Sequence, residues 1–240
     1  PTPIPSPIPS PTSPTPTPDA DGVVTYTDAD DSLTDQNNVK VRMMGGNDYV
    51  EITGGINNFA NGNMGDDRFV LRSGEAGQYL GGKGSDTFEV FGGIDNYVNG
   101  NIGGDSITLN GGQGRYLGGD DSDKIDVLNA EDGTSVNGNR GQDFITGNAG
   151  GVTYRGGAGD DVIQASQGDI YGDRGADIFK GQSGDGYAVI QDYTIGEDVV
   201  ELAMDGIWSK IESGLIFTDN LGEQIMLLVG INDVDQVKTT

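Results

Sequence analysis

Aspartates return along this chain at a nearly constant interval, and that recurrence limits its possible folds more than any other feature. Asp48, Asp67, Asp86, Asp105, Asp123, Asp143, Asp161 and Asp177 are separated by 19, 19, 19, 18, 20, 18 and 16 residues. An apolar residue stands two places after each: Val50, Phe69, Phe88, Ile107, Ile125, Ile145, Ile163 and Phe179. Five places before each, from Asp67 onward, stands a glycine: Gly62, Gly81, Gly100, Gly118, Gly138, Gly156 and Gly172. A second glycine stands two places before, at Gly46, Gly65, Gly84, Gly103, Gly141, Gly159 and Gly175, and Asp121 alone breaks that series. So regular a period predicts a solenoid, in which each coil buries its apolar face on the next.

The repeated loop reads G-x-x-G-x-D. Its glycines permit a sharp turn and close backbone approach, and its carbonyls and carboxylate are hard oxygen ligands of the kind Ca²⁺ prefers. The tail D-x-h-x-h, as in Asp86-Thr87-Phe88-Glu89-Val90, alternates like a short strand. Gly81-Gly82-Lys83-Gly84-Ser85-Asp86-Thr87-Phe88 and Gly156-Gly157-Ala158-Gly159-Asp160-Asp161-Val162-Ile163 carry the pattern most fully.

These stretches resemble the RTX, or hemolysin-type calcium-binding, repeat. The resemblance covers residues 43–181. It implies an all-β, right-handed parallel β-roll of about 19-residue coils, with Ca²⁺ held between successive loops by the eight aspartates and the glycines of the two series. Eight aspartates make seven adjacent pairs, so on the order of five to seven ions are expected. The pair around Asp121 and Asp123 is expected to be the weakest site.

One departure stands out. The other half of each coil has no aspartate column; Phe59, Tyr79, Tyr97, Tyr116, Val136, Tyr154 and Tyr171 run there instead. They are read as a stack inside the roll, which then has one calcium edge and one metal-free edge. A 38-residue superperiod overlies the coil: Asn61-Gly62-Asn63, Asn99-Gly100-Asn101 and Asn137-Gly138-Asn139 alternate with Leu80-Gly81-Gly82, Leu117-Gly118-Gly119 and Arg155-Gly156-Gly157. The asparagines are read as substitutes for glycine at left-handed positions.

Charge and composition narrow the function. Acidic residues number 38 against 13 basic, a net charge of −25, which argues against a nucleic-acid partner. Carboxylates gathered at loops repel until cations arrive, so folding is expected to depend on them. The chain has no cysteine and no histidine, so disulfides, thiolate nucleophiles and imidazole bases are excluded. There is no apolar run long enough to span a membrane. Paired acids such as Asp66-Asp67 and Asp160-Asp161 recur once per coil, whereas an active site is built once, so no enzyme is expected.

The ends differ from the middle. Residues 1–18 hold all nine prolines and read as an extended polyproline II linker or tail, a candidate for glycosylation and for self-assembly between copies. Residues 19–42 read as an N-terminal cap in which Asp31-Ser32-Leu33 echoes the repeat. Residues 182–240 read as a C-terminal cap. Within it Gly214–Thr218 and Gln224–Val229 form a hairpin, and Ile207-Trp208-Ser209-Lys210-Ile211 a helical turn. A start at Pro1, without methionine or signal peptide, reads as a processed product or a fragment. The function expected is a secreted, calcium-binding structural or surface protein: a sheath, surface-layer or extracellular filament subunit. The alternative is a C-terminal calcium-dependent secretion and folding module of a larger enzyme or adhesin.

Overall fold

The structure is a computed structural model and describes residues 18–240; the tail expected over residues 1–18 lies, but for Pro18, outside them. The chain begins with β1 (Val24–Thr25), β2 (Ser32–Asn37) and β3 (Lys40–Arg42). The coils follow as β4 (Tyr49–Gly54), β5 (Phe59–Met64), β6 (Arg68–Leu71), β7 (Gln78–Lys83), β8 (Thr87–Val90) and β9 (Asn96–Ile102). They continue as β10 (Ser106–Leu109), β11 (Gly114–Asp120), β12 (Lys124–Val127), β13 (Ser135–Arg140), β14 (Phe144–Gly147) and β15 (Thr153–Ala158). Next come β16 (Val162–Ala165), β17 (Gly168–Arg174), β18 (Ile178–Gly181), β19 (Ala188–Ile190) and β20 (Val199–Leu202). The chain closes with β21 (Gly206–Ile211), β22 (Gly214–Asp219), β23 (Gln224–Val229) and one 3₁₀ turn, Val234–Gln236.

Odd and even strands separate into two sheets, as a solenoid requires. The even strands β2 to β20 form a ten-stranded parallel sheet. The odd strands β1 to β19 form the other sheet, which β23, β22 and β21 extend to thirteen strands. The protein is thus an all-β parallel β-solenoid of about nine turns with about 19 residues per turn. No helix among the described residues is long and apolar enough to cross a membrane.

The even strands carry the D-x-h-x-h tails, and both apolar positions face inward. Val50, Phe69, Phe88, Ile107, Ile125, Ile145, Ile163, Phe179 and Val200 stand in register on successive strands, all 1% exposed or less. The Phe69 and Phe88 rings stack at 4.7 Å and 10°. Burying a side chain of this size stabilises by about 1.5–3 kcal/mol, so the column is a main source of cohesion between rungs.

The facing column differs from its expected membership. Ala60, Tyr79, Val98, Tyr116, Val136, Tyr154 and Ile170 are the residues in register and buried. Phe59, Tyr97 and Tyr171 sit one residue out of phase with it, half-buried on the outer side, where Arg42 and Arg155 lie over the Phe59 and Tyr171 rings. One residue of shift reverses the face of a strand side chain. The 38-residue superperiod has its packing reason here: tyrosine alternates with a smaller residue, so each large ring has room above and below it.

The caps also depart in one place. β21 is a strand paired antiparallel with β22, not a helical turn. The i, i+4 spacing of Ile207 and Ile211 fits a helix equally well, but Trp208 packs edge-on against Phe217 at 5.2 Å across the hairpin.

Candidate functional site

The eight aspartates come together as one internal column along a corner of the coil, where an odd strand turns into an even one. All are 4% exposed or less, and Asp198 extends the column by one rung. Each carboxylate binds the rung before it. The Asp48 N–H donates to Asp67 Oδ1, Asp67 N–H to Asp86 Oδ1, and so on to Asp177 and Asp198, at 2.7–3.0 Å. Asp31 joins from the N-terminal cap by donating its N–H to Asp48 Oδ1 at 2.7 Å.

The two glycine series have different duties. Gly62, Gly81, Gly100, Gly118, Gly138, Gly156 and Gly172 face inward opposite the carboxylates. At Gly100 a side-chain carbon would run into the Asp105 carboxylate and the Gly118 carbonyl oxygen, and every other member of the series would likewise meet the carboxylate five places on. Gly65, Gly84, Gly103, Gly141, Gly159 and Gly175 instead hold φ between 123° and 146°, and a side chain at Gly103 would meet the Gly84 carbonyl oxygen. Asp121, the break in that series, keeps the left-handed backbone at φ 82°. Asn63, Asn101 and Asn139 also have positive φ, at 70°, 80° and 77°, in keeping with their reading as glycine substitutes.

A second ladder lies next to the first and escaped the sequence reading. At Asn47, Asp66, Ser122 and Asp160 the residue before the column aspartate accepts from the rung after it. Asp66 N–H donates to Asn47 Oδ1 at 2.9 Å, Ser85 N–H to Asp66 Oδ1 at 2.8 Å, and Ala176 N–H to Asp160 Oδ1 at 2.9 Å. Neighbouring residues of the turn therefore tie the rung in opposite directions. The signal was present as the acidic pairs Asp66-Asp67 and Asp160-Asp161. Asp192 closes the end, accepting the Gly172 and Asp173 N–H groups at 2.9 and 3.0 Å.

What the column leaves over matters most. Oδ2 of Asp48, Asp67, Asp86, Asp105, Asp123, Asp143 and Asp161 is buried and has no hydrogen-bond partner. Burial raises the carboxyls of the column, Asp67 among them, and carries them to about 7 at Asp48, Asp105 and Asp161, about 8 at Asp86 and Asp123, and about 6 at Asp143 and Asp177. The accepted N–H bond pulls the other way and only partly offsets it. Among the described residues no three Asp or Glu side chains converge on one point. A cation here would therefore take one carboxylate oxygen per rung and complete its shell with main-chain carbonyls. That donor set is all oxygen, carries charge and suits a hard divalent cation. Comparison of the chain with protein-family models, curated proteins and solved structures finds no match.

Proposed function

We propose that this chain is a calcium-stabilised structural protein of the extracellular space, its roll completed by divalent cations along the aspartate corner. The observation that carries the reading is the row of seven buried Oδ2 atoms without partners. A neutral amide would accept the same N–H without the desolvation cost of a charge, so repeated carboxylate calls for a ligand that needs the charge. The likeness of the repeat to the RTX nonapeptide, the net charge of −25 and the absence of cysteine support it. The bound cation would supply positive charge between rungs, and Asp67, Asp86, Asp105, Asp123, Asp143 and Asp161 would hold it with the glycine-rich loop backbone. Because the donors are gathered only by the folded coil, binding adds to folding stability. The role is structural and not catalytic, since the acidic groups recur once per rung. A proline-rich segment ahead of the roll supports a second reading, a calcium-dependent module of a larger secreted protein; the mass of the mature protein from its source separates the two.

The test uses the full chain stripped of metal on a chelating resin at pH 8. Adding Ca²⁺ is expected to restore β circular dichroism and to contract the radius of gyration, with on the order of five to seven ions bound. A stripped protein that keeps its full β signal and takes up no calcium overturns the proposal.

A further inference from the structure

The thirteen-stranded sheet ends at β21, which among the described residues pairs only with β22. Asn220 N–H donates to the Asp205 carbonyl at 3.1 Å, one pair beyond that ladder. Antiparallel pairs alternate between bonded and non-bonded, so Ile207, Ser209 and Ile211 also direct their backbone groups at β22. Gly206, Trp208 and Lys210 direct theirs outward, along an open edge. Ile207 and Ile211 are 65% and 39% exposed beside it.

The sequence ahead of the described residues suits that edge. Prolines occupy positions 1, 3, 5, 7, 9 and 11, so every N–H over this stretch belongs to Thr2, Ile4, Ser6, Ile8 or Ser10. In an extended chain alternate residues point their N–H and C=O to the same side. Such a strand pairs on one side only, and its other side, lacking donors, stops further growth. Its Ile4-Pro5-Ser6-Pro7-Ile8 also has the same Ile-x-Ser-x-Ile spacing as Ile207-Trp208-Ser209-Lys210-Ile211.

We propose that residues 4–8 of one copy add to β21 of a second copy as a parallel strand, with Ile4 beside Ile207, Ser6 beside Ser209 and Ile8 beside Ile211. Parallel pairing sets each bonded residue level with a partner residue whose neighbours on either side supply the bonds. Bonds to Gly206, Trp208 and Lys210 thus bring the even-numbered residues level with Ile207, Ser209 and Ile211, all on one face. The occupant is a second copy because the chain's own segment cannot reach. From β1 to β21 is twelve strand steps, about 58 Å along the sheet at ~4.8 Å each. The ten residue steps from Ile8 to Pro18 span at most about 36 Å. The contact joins one end of a roll to the other end of the next and does not close, so it builds linear chains. It is independent of the calcium reading.

The chain has no cysteine, which makes cross-linking a clean test. Ser6→Cys and Ser209→Cys proteins are mixed under mild oxidation. The mixed disulfide dimer is expected to dominate over both same-variant dimers, and to be lost when Ile4 and Ile8 are also replaced by proline. A Ser209→Cys dimer that dominates the mixture would mean that β21 edges pair with each other, and the proposal fails. It fails equally if no mixed dimer forms. Lys210→Pro, which removes an outward N–H without touching the β22 ladder, is expected to return wild-type chains to monomers in sedimentation. Chains that persist in this variant overturn the assignment of the edge.

Discussion

The two corners of the coil perform the same task with different side chains. At the aspartate corner a carboxylate accepts an N–H from the preceding rung, every rung, and at seven rungs, Asp48 to Asp161, leaves its second oxygen unpaired. At the opposite corner Asn58 Oδ1 accepts from Val39 N–H and Asn96 Oδ1 from Gly77 N–H, both at 2.9 Å. There the amide Nδ2 is used as well, donating to Gly54 and Gly74 carbonyls. Asparagine saturates the corner without an ion. The sequence there also varies freely, with Gly77, Thr134 and Val152 at the same bend. Where only hydrogen bonding is needed the chain is neutral and irregular; where it is charged it is uniform. That contrast is the physical case for a cation at one corner and none at the other.

The largest effect should come from pH in the absence of metal. Burial raises the column carboxyls above the ordinary carboxylate range, to about 6–8 at Asp48, Asp86, Asp105, Asp123, Asp143, Asp161 and Asp177. A raised acid binds more protons folded than unfolded, so its stability is fully present below about pH 4 and is lost as pH rises through 6 to 8. Metal-stripped protein is therefore expected to melt at a higher temperature at pH 5 than at pH 8, and saturating Ca²⁺ should abolish or reverse that slope. A melting temperature that rises with pH in stripped protein would mean the carboxylates are solvated, and the two corners would then be alike.

Exchanging the corners tests the contrast rung by rung. Asp105→Asn keeps an acceptor for the Asp86 N–H but removes the charge. It is expected to stabilise the stripped protein at pH 8 and to bind about one Ca²⁺ fewer, so its stability curve crosses that of wild type as calcium is added. Asp105→Ala leaves the Asp86 N–H without an acceptor and should cost about 1–3 kcal/mol in either state. The reverse exchange, Asn96→Asp, sets a buried charge against the Gly74 carbonyl. It should cost about 1–3 kcal/mol at pH 8 with no rescue by calcium. Rescue would show that the second corner also holds a cation. Gly100→Ala, which drives a methyl into the Asp105 carboxylate, should cost about 1–3 kcal/mol and lower the calcium stoichiometry in mass spectrometry.

Much of this was legible in the sequence because both the aspartates and the apolar residues two places later repeat in phase. The D-x-h-x-h beat sets which side chains enter the core, and Phe69 to Phe179 enter as read. The other half-coil was legible only in part. Tyr79, Tyr116 and Tyr154 are inside, but Tyr97 and Tyr171 stand one residue away from the buried Val98 and Ile170, and aromatic identity outweighed phase in the reading. Only strand pairing fixes that register. β21 was misread for a related reason: its Ile207 and Ile211 are four apart, a spacing shared by one helical face and one strand face. The second turn ladder was hidden because Asn47, Asp66, Ser122 and Asp160 share an acceptor oxygen but not a residue type.

The smallest effect concerns charge placed outside the coil instead of inside it. On the outer face of the even sheet Arg68 meets Glu89 at 2.7 Å, lies over the Tyr49 ring at 5.6 Å, and is half exposed. An exposed pair of this kind contributes about 0.2–1 kcal/mol and is screened by salt. Glu89→Gln should thus lower stability by that amount in dilute buffer and by almost nothing in concentrated salt. Arg68→Ala should cost more and lose less of its effect to salt. Val70, though on the outer face, is only 2% exposed, and a long side chain beside it covers apolar surface with its methylenes. If both variants responded to salt alike, charge alone would account for this face, and Val70 would owe its burial to neighbours other than Arg68.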